Sequence, residues 1–202
     1  MIPRVRVALA TRNPGKLAEF RRLFAGQPWE LVGLDAVGFS GSLTEPGATY
    51  EENAVAKAEA VLAATGTPAI ADDSGLEVPG LGDWPGPQSA RWMGPDASDG
   101  DRIQGLLSEV ERRSPGDRRA RFVCVLALAR PGEEPIRARG ETWGVLVPPR
   151  GSQGFGYDPA FLSDDLGMTF GEASAAAKAR VSHRSRAVAA LLGAAGPRLG
   201  LP

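Results

Sequence analysis

Strand-like and helix-like segments alternate along the first third of the chain, and this order limits the folds that the sequence can adopt. Residues 5–10 and 29–34 are short apolar runs typical of buried strands, and residues 17–24 place apolar side chains at helical spacing. Residues 53–64 are rich in alanine and predict a helix that ends before Thr65-Gly66. Such alternation predicts a sheet with parallel strands that is covered by helices.

The second half of the chain predicts a long hairpin. Residues 120–129 and 136–147 read as two strands, joined by a turn that contains Pro131, Gly132 and Pro135. Alternating elements followed by a hairpin indicate an α/β protein with a mixed sheet. Because neither an internal repeat nor a linker is evident, we expect residues 1–202 to form one domain.

Composition excludes several classes of function. The chain has 202 residues and a net charge of −1, so it lacks the basic field that holds a nucleic-acid backbone. Its apolar runs are far shorter than the ~20 residues of a membrane span, and no signal peptide is evident. The single cysteine, Cys124, has apolar neighbours, which favours a buried packing role. We therefore expect a cytoplasmic protein that binds neither nucleic acid nor membrane.

Two adjacent aspartates follow the third strand-like segment. Residues 67–71 form an apolar run that leads into Asp72, Asp73, Ser74 and Gly75. Neighbouring carboxylates repel each other, so such a pair needs a proton, a hydrogen-bond donor or a cation. Mg²⁺ would meet this need, since it binds through one or two carboxylates and substrate phosphates. The alternative is a polar turn that ends the strand, because Asp, Ser and Gly are common turn residues.

A candidate anion site precedes the first predicted helix. Residues 11–16 read Thr-Arg-Asn-Pro-Gly-Lys, where backbone N–H groups at the helix start and the Lys16 ammonium would attract phosphate. The segment is not a P-loop, since Ala10 and Leu17 stand where that motif has Gly and Ser or Thr. An ordinary strand–helix turn with an exposed lysine explains it equally well.

Further polar residues surround the alanine-rich helix. Glu45 lies in a Pro/Gly turn, where no helix dictates the direction of its carboxylate. Glu51 and Glu52 suit the positive start of a helix whatever the function. Asn53 and Lys57 are four residues apart and share one helix face, for which a surface position is the ordinary explanation.

The last third of the chain contains a glycine-dense segment with aromatic residues and a late cluster of donors. Residues 151–161 interleave glycines with Phe155 and Tyr157, so the backbone can approach a ligand closely and a ring can stack on a base. A hairpin loop anchored by its aromatic side chains is the alternative. Lys178, His183 and Arg184 would supply several hydrogen-bond donors to oxygens of a ring or a phosphate.

Taken in order, these segments resemble the inosine triphosphate pyrophosphatase family, which hydrolyses non-standard purine nucleoside triphosphates. The resemblance rests on residues 10–16, Glu52-Asn53-Ala54 with Lys57, residues 71–76, Gly154 to Pro159, and Ser182-His183-Arg184. It implies an elongated mixed β-sheet flanked by helices, with two lobes around a deep central cleft, usually in a homodimer. It also implies Mg²⁺-dependent cleavage of ITP, dITP or XTP to the monophosphate and pyrophosphate, which removes deaminated purines from the nucleotide pool.

The resemblance also implies roles for individual residues. Asp73 would be the catalytic carboxylate, and the metal would lie near Asp73, Glu45 and Asp72. The expected substrate contacts are Thr11, Arg12, Asn13, Pro14, Gly15, Lys16, Ser74, Phe155, Gly156, Tyr157, Asp158, Lys178, His183 and Arg184. Two alternatives stay open: a non-catalytic nucleotide sensor, and a pyrophosphatase for modified pyrimidine nucleotides.

Overall fold

The computed structural model describes residues 5–27 and 29–196, and within them it contains seven strands and five α-helices. The strands are β1 (Val5–Leu9), β2 (Trp29–Val32), β3 (Ala69–Val78), β4 (Trp84–Gly86), β5 (Arg119–Ala129), β6 (Ile136–Leu146) and β7 (Phe161–Ser163). The helices are α1 (Pro14–Leu23), α2 (Tyr50–Thr65), α3 (Asp99–Arg113), α4 (Ala175–Val181) and α5 (His183–Ala195). In the described ranges, no helix has the length and apolar character needed to cross a membrane.

The sheet contains both parallel and antiparallel pairs, so the predicted α/β class with a mixed sheet is confirmed. Its hydrogen-bonded strand order is β2-β1-β3-β5-β6-β7, with β4 paired to β3. Strand β1 runs parallel to β2 and to β3, as expected for strands joined through helices. Strands β4 and β7 pair antiparallel with β3 and β6 respectively.

Contacts divide the chain into two compact units, each with its own apolar core. The first comprises the described residues up to Asp73, Cys124–Gly140 and those from Arg184 onward. Its core brings together apolar side chains of β1, α1, β3, β5 and α5, with Phe20, Phe24 and Trp29 as its aromatic members. Cys124 lies buried in this core, and burial raises the pKa of its thiol, so the expected packing role is confirmed.

The second unit comprises Ser74–Val123 and Glu141–His183. Phe122, Phe161 and Phe170 pack against one another at its centre, with ring centroids 4.7–6.0 Å apart. Helix α3 covers this core through Ile103, Leu106 and Val110.

Strand β3 is longer than the sequence predicts, and this changes how the aspartate pair is presented. The predicted strand over residues 67–71 stops before the pair, whereas β3 continues through Asp72 and Asp73 to Val78. Pairing with β4 extends the strand, and the Ser89 hydroxyl accepts a hydrogen bond from the Leu76 N–H. The interpretation of the pair as a turn is therefore wrong, because long-range pairing overrides the local preference of Asp, Ser and Gly for turns.

Two further segments contain short regular elements. Residues 78–87 include a short 3₁₀ turn at Pro79–Leu81 and the strand β4, with a cis peptide bond between Trp84 and Pro85. Helix α4 was not predicted, and it begins after Ser174, whose side chain accepts a hydrogen bond from the Ala177 N–H. Residues 148–156 form a loop.

Candidate active site

The two adjacent aspartates point to opposite faces of β3. Successive side chains of a strand alternate between its faces, and both residues lie inside the strand. The Asp72 carboxylate binds the Lys16 ammonium of α1 at 2.8 Å, whereas Asp73 faces α2. Each carboxylate thus has its own cation, so the repulsion expected between neighbours is relieved by two separate partners.

Asp73 lies in a buried polar cluster together with two side chains of α2. Asn53 donates a hydrogen bond from Nδ2 to Asp73 Oδ2 at 2.9 Å, and Lys57 Nζ lies 3.8 Å from Asp73 Oδ1. Lys57 also donates to Glu45 Oε1 at 2.5 Å. The surface position considered for Asn53 and Lys57 is wrong, since their exposed fractions are 0% and 4%.

The charges in this cluster oppose one another in their effect on Asp73. Burial raises the pKa of Asp73, the Lys57 charge lowers it, and the Glu45 charge raises it again, which leaves a pKa above the ordinary value. For Lys57, burial lowers the pKa, but the three carboxylates Asp72, Asp73 and Glu45 outweigh that effect and raise it. Lys57 therefore stays protonated, while Asp73 is a stronger proton acceptor than an exposed aspartate.

Asp72 has the opposite electrostatic setting. Burial raises its pKa, but the charges of Lys16 and Arg184 outweigh burial, and its pKa falls to about 2. Arg184, on the first turn of α5, forms its own ion pair with Glu19 of α1, with Nη1 and Oε2 2.8 Å apart. Two acidic and two basic side chains therefore meet on this face of the first unit.

The predicted phosphate segment is held by its own side chains. Asn13 caps α1, and its Oδ1 accepts hydrogen bonds from the N–H groups of Gly15 and Lys16. Thr11 Oγ1 accepts one from the Asn13 N–H, and Arg12 donates to the Gly41 carbonyl at 2.8 Å. Because the cap uses two of the N–H groups, the group at this helix start best suited to an anion is the Lys16 ammonium.

The Glu45 segment is fixed to the start of α2. Thr49 and Glu52 form a capping box, and hydrogen bonds from backbone N–H groups hold the pKa of Glu52 below its usual range. Gly47 donates its N–H to Asn53 Oδ1 at 2.8 Å. The role expected for Glu52 at the helix start is therefore confirmed, and the same contacts place Glu45 beside Lys57.

Oxygen donors suited to a hard divalent cation lie on the Asp73 face. Among the residues that the structure describes, no three His, Cys, Asp or Glu side chains are close enough to hold a metal between them. Glu45 and Asp73 nevertheless supply carboxylate oxygens of the kind that such an ion prefers, and the Lys57 ammonium beside both already offsets part of their repulsion. Metal binding by Asp72 stays a prediction, and its ion pair with Lys16 on the other face weighs against it.

In the second unit, the glycine-dense segment is anchored by a buried ion pair. Lys178 Nζ donates to Asp158 Oδ2 at 2.6 Å, and the same oxygen accepts the Phe155 N–H at 2.9 Å. The Lys178 ammonium also lies 5.4 Å from the centroid of the Phe155 ring, within the range of a cation–π contact. Asp158 thus links the aromatic residue of the loop to the predicted base-reading lysine.

Close packing around Asp158 explains one of the glycines. Gly154 has φ +76°, and a Cβ at this position would lie 1.9 Å from Asp158 Oδ2. The backbone must approach the carboxylate closely here, so a side chain at 154 would displace Asp158 from its two partners.

Tyr157 and Gly156 are tied to other parts of the second unit. The Tyr157 hydroxyl accepts a hydrogen bond from Trp92 Nε1 and donates one to the Ser89 carbonyl, both at 2.8 Å. The Gly156 N–H donates to Asp99 at 2.7 Å, which fastens the loop to the start of α3. These contacts favour an anchoring role for Tyr157, the alternative considered for an aromatic residue in this loop.

The remaining expected contacts, Ser74 and His183, lie within β3 and at the start of α5. Ser74 is half-buried on β3 directly after Asp73. His183 is 1% exposed, and its ring stacks on Phe122 with a centroid distance of 4.7 Å. Burial against an aromatic ring fixes the plane of the imidazole.

Three residues of these clusters were absent from the expected site: Asn53, Lys57 and Glu19. One sequence signal points to Lys57. The chain has only three lysines among its 23 basic residues, and Lys16 and Lys178 already lie in candidate segments. All three form ion pairs of 2.5–2.8 Å with largely buried ammonium groups. For Glu19 no comparable signal exists, because its partner lies 165 positions away in the chain.

Comparison with known proteins agrees with the resemblance drawn from the motifs. The sequence pattern of the Ham1 family matches residues 7–194. A dITP/XTP pyrophosphatase of Halorhodospira halophila is 45% identical over 93% of this chain and 96% of its own. One of Deinococcus radiodurans is 48% identical over 95% and 93% of the two chains. The solved structure of a HAM1 protein from Coxiella burnetii superposes with a TM-score of 0.84 at 36% identity, over 92% of this chain and 95% of that chain. The chain therefore belongs to the Ham1 family.

Proposed function

We propose that this protein hydrolyses non-standard purine nucleoside triphosphates, namely ITP, dITP and XTP, to the monophosphate and pyrophosphate. The observation that carries the proposal is the Asp73 cluster: a buried carboxylate with a raised pKa, oriented by Asn53 and Lys57. It is supported by the full-length relatives named dITP/XTP pyrophosphatase at more than 40% identity. Residues 1–202 would act as one catalytic domain that clears deaminated purines from the nucleotide pool.

In the proposed reaction, water attacks the α-phosphorus and Asp73 accepts the proton that the water loses. The bond between the α-phosphorus and the bridging oxygen breaks, and pyrophosphate leaves with the electron pair. The raised pKa of Asp73 suits it to this role, because a general base works best when its pKa approaches the working pH. Asn53 and Lys57 hold the carboxylate so that the reacting oxygen does not rotate away.

Glu45 would hold Mg²⁺ together with one carboxylate oxygen of Asp73, and the other oxygen of Asp73 would accept the proton. The ion would neutralise charge on the triphosphate oxygens, as divalent cations do in phosphoryl transfer. Lys16 would bind the phosphates through its ammonium, while Asp72 keeps that ammonium in place.

Base selection would depend on donors that match oxygen. Inosine and xanthosine carry an oxygen where adenosine carries an amine, and Lys178, His183 and Arg184 would donate hydrogen bonds to it. Facing adenine, such donors would meet another donor, and a buried polar group left without a partner costs about 1–3 kcal/mol. The protein would thus reject ATP by unmatched donors rather than by shape. We also propose that it acts in the cytoplasm as a homodimer.

A nucleotide panel tests the proposed function. Purified protein would be incubated with ITP, dITP, XTP, GTP, ATP and dTTP, with Mg²⁺ or with EDTA, and the products separated by ion-exchange chromatography. We expect pyrophosphate and the monophosphate from ITP, dITP and XTP, in the Mg²⁺ samples only. Release of orthophosphate, turnover confined to pyrimidines, or binding without turnover would each contradict the proposal. Light scattering of the same sample measures the mass of the assembly.

A further inference from the structure

We propose that Glu19 is a positioning residue for base selection, which acts by holding the Arg184 guanidinium. The inference rests on the proposed function, since it assumes that Arg184 reads the base. Glu19 lies on α1, three residues after Lys16, and thus belongs to the same helix as the predicted phosphate lysine. It was not among the residues expected from the sequence.

The contact between Glu19 and Arg184 is a largely buried, charge-assisted hydrogen bond. Glu19 Oε2 and Arg184 Nη1 are 2.8 Å apart, and the two side chains are 14% and 6% exposed. At that burial solvent screens the pair weakly, so the bond restrains the guanidinium more strongly than an exposed ion pair would. A planar guanidinium with one edge fixed presents its remaining N–H groups in a set direction.

The position of Arg184 is unfavourable without acidic partners. It is the second residue of α5, where the helix dipole is positive and disfavours a cation. Lys16 lies at a helix start as well, in the first turn of α1. Two buried or half-buried cations at positive helix ends are unfavourable, because they repel each other and the helix dipoles. The carboxylates of Asp72 and Glu19 offset that cost by pairing with Lys16 and Arg184 respectively. Such an arrangement concentrates donors suited to an anionic or oxygen-rich ligand.

The same cluster connects the phosphate lysine to the base arginine. Asp72 forms the ion pair with Lys16, and the Arg184 charge helps to lower the pKa of Asp72. Glu19 completes the set from the same helix that carries Lys16. Helix α1 therefore carries one of the two predicted substrate-binding cations, Lys16, and binds the other, Arg184, through Glu19.

The test compares Glu19→Gln with Glu59→Gln, an exposed glutamate of α2 in the same unit. For each variant, kcat/KM would be measured with ITP and with ATP. Because glutamine keeps the shape but loses the charge of the acceptor, we expect the ITP/ATP ratio of Glu19→Gln to fall about tenfold. The ratio of Glu59→Gln should equal that of the parent protein. A ratio is independent of the amount of folded enzyme, so partial unfolding cannot imitate this result.

A double-mutant cycle separates positioning from a general structural effect. In the Arg184→Ala background, where the ITP/ATP ratio is already low, Glu19→Gln should change the ratio no further. An unchanged ratio for the single variant, or an equal additional loss in the Arg184→Ala background, would overturn the inference. If the parent protein releases no pyrophosphate from ITP, the proposed function fails first, and the panel above would detect that independently.

Discussion

The two faces of strand β3 carry the same residue type at adjacent positions with opposite electrostatic outcomes. On one face, Lys16 and Arg184 overcome the effect of burial and lower the pKa of Asp72 to about 2. On the other, burial and Glu45 outweigh Lys57 and raise the pKa of Asp73. Both carboxylates are almost fully buried, so the difference comes from the balance of charges around each one.

This difference indicates distinct tasks for the two aspartates. A carboxylate that is permanently ionised and paired stabilises the cations around it, whereas one with a raised pKa is suited to exchange a proton. Because side chains alternate between the faces of a strand, two consecutive residues can lie in different electrostatic environments. We therefore propose that Asp73 contributes to activity and Asp72 to the integrity of the cluster.

The largest expected effect is that of Asp73→Asn. Asparagine keeps the shape of the side chain but accepts no proton at neutral pH, so we expect kcat with ITP to fall by about 10³-fold or more. Stability should stay near that of the parent protein or increase, because the native state already disfavours the charge of Asp73. Pyrophosphate release and thermal melting measure the two quantities.

The matched control for this prediction is Asp35→Asn, which neutralises an exposed aspartate of the same unit. It should leave both kcat and the melting temperature unchanged. Near-normal turnover by Asp73→Asn would break the comparison, since the two faces of β3 would then not differ in function.

A smaller effect, now on stability, is expected for Asp72→Asn. The substitution leaves Lys16 without its buried counter-ion and removes a carboxylate charge that also acts on Arg184, so we expect the free energy of unfolding to fall by about 2–3 kcal/mol. Urea denaturation at neutral pH measures this change. Asp96→Asn, at an exposed position, is the control and should change stability by less than about 0.5 kcal/mol.

Acid titration sharpens the same prediction. The pKa of Asp72 is lower in the native state than its ordinary value of 3.8, so its stabilising effect is complete above pH 4. It is lost as the pH falls from there through about 2. The parent protein should therefore lose stability more steeply than Asp72→Asn in this window. Equal slopes would show that Asp72 is not the titrating group.

Much of the fold was predictable because it depends on local patterns. Alternating apolar runs and helical spacing identified β1, α1 and β2, and the turn between β5 and β6 was evident from its prolines and glycine. The extension of β3 was not predictable, because it depends on pairing with β4 and on a hydrogen bond to Ser89, 13 positions from Leu76. Local turn propensity gave the wrong answer where distant residues decided the structure.

The candidate site shows the same division. Motif order made Asp73 and Lys16 candidates, and their site roles stay predictions. The assignment of Asn53 and Lys57 to the surface failed, since a helix pattern does not reveal which face packs against β3. The pairing of Arg184 with Glu19 joins residues 165 positions apart and has no counterpart in local sequence. What distinguishes Asp72 from Asp73 is the set of charges on each face, which only the packed structure provides.

The smallest expected effect is a shift in pH dependence caused by Lys57→Gln. Lys57 lowers the pKa of Asp73 against burial and Glu45, so removing its charge should raise that pKa further. A base must be ionised to act, so the acidic limb of the pH profile of kcat/KM should move to higher pH by about one unit.

Lys57→Arg keeps the charge and should leave the limb within a few tenths of a unit. Arg22→Gln, which removes an exposed cation of α1, should leave it unmoved because solvent screens that charge. The acidic limb could instead stay in place in Lys57→Gln, or shift equally in Arg22→Gln. Either result would mean that the charge balance around Asp73 does not control its role. The contrast between the two faces of β3 would then rest on geometry alone.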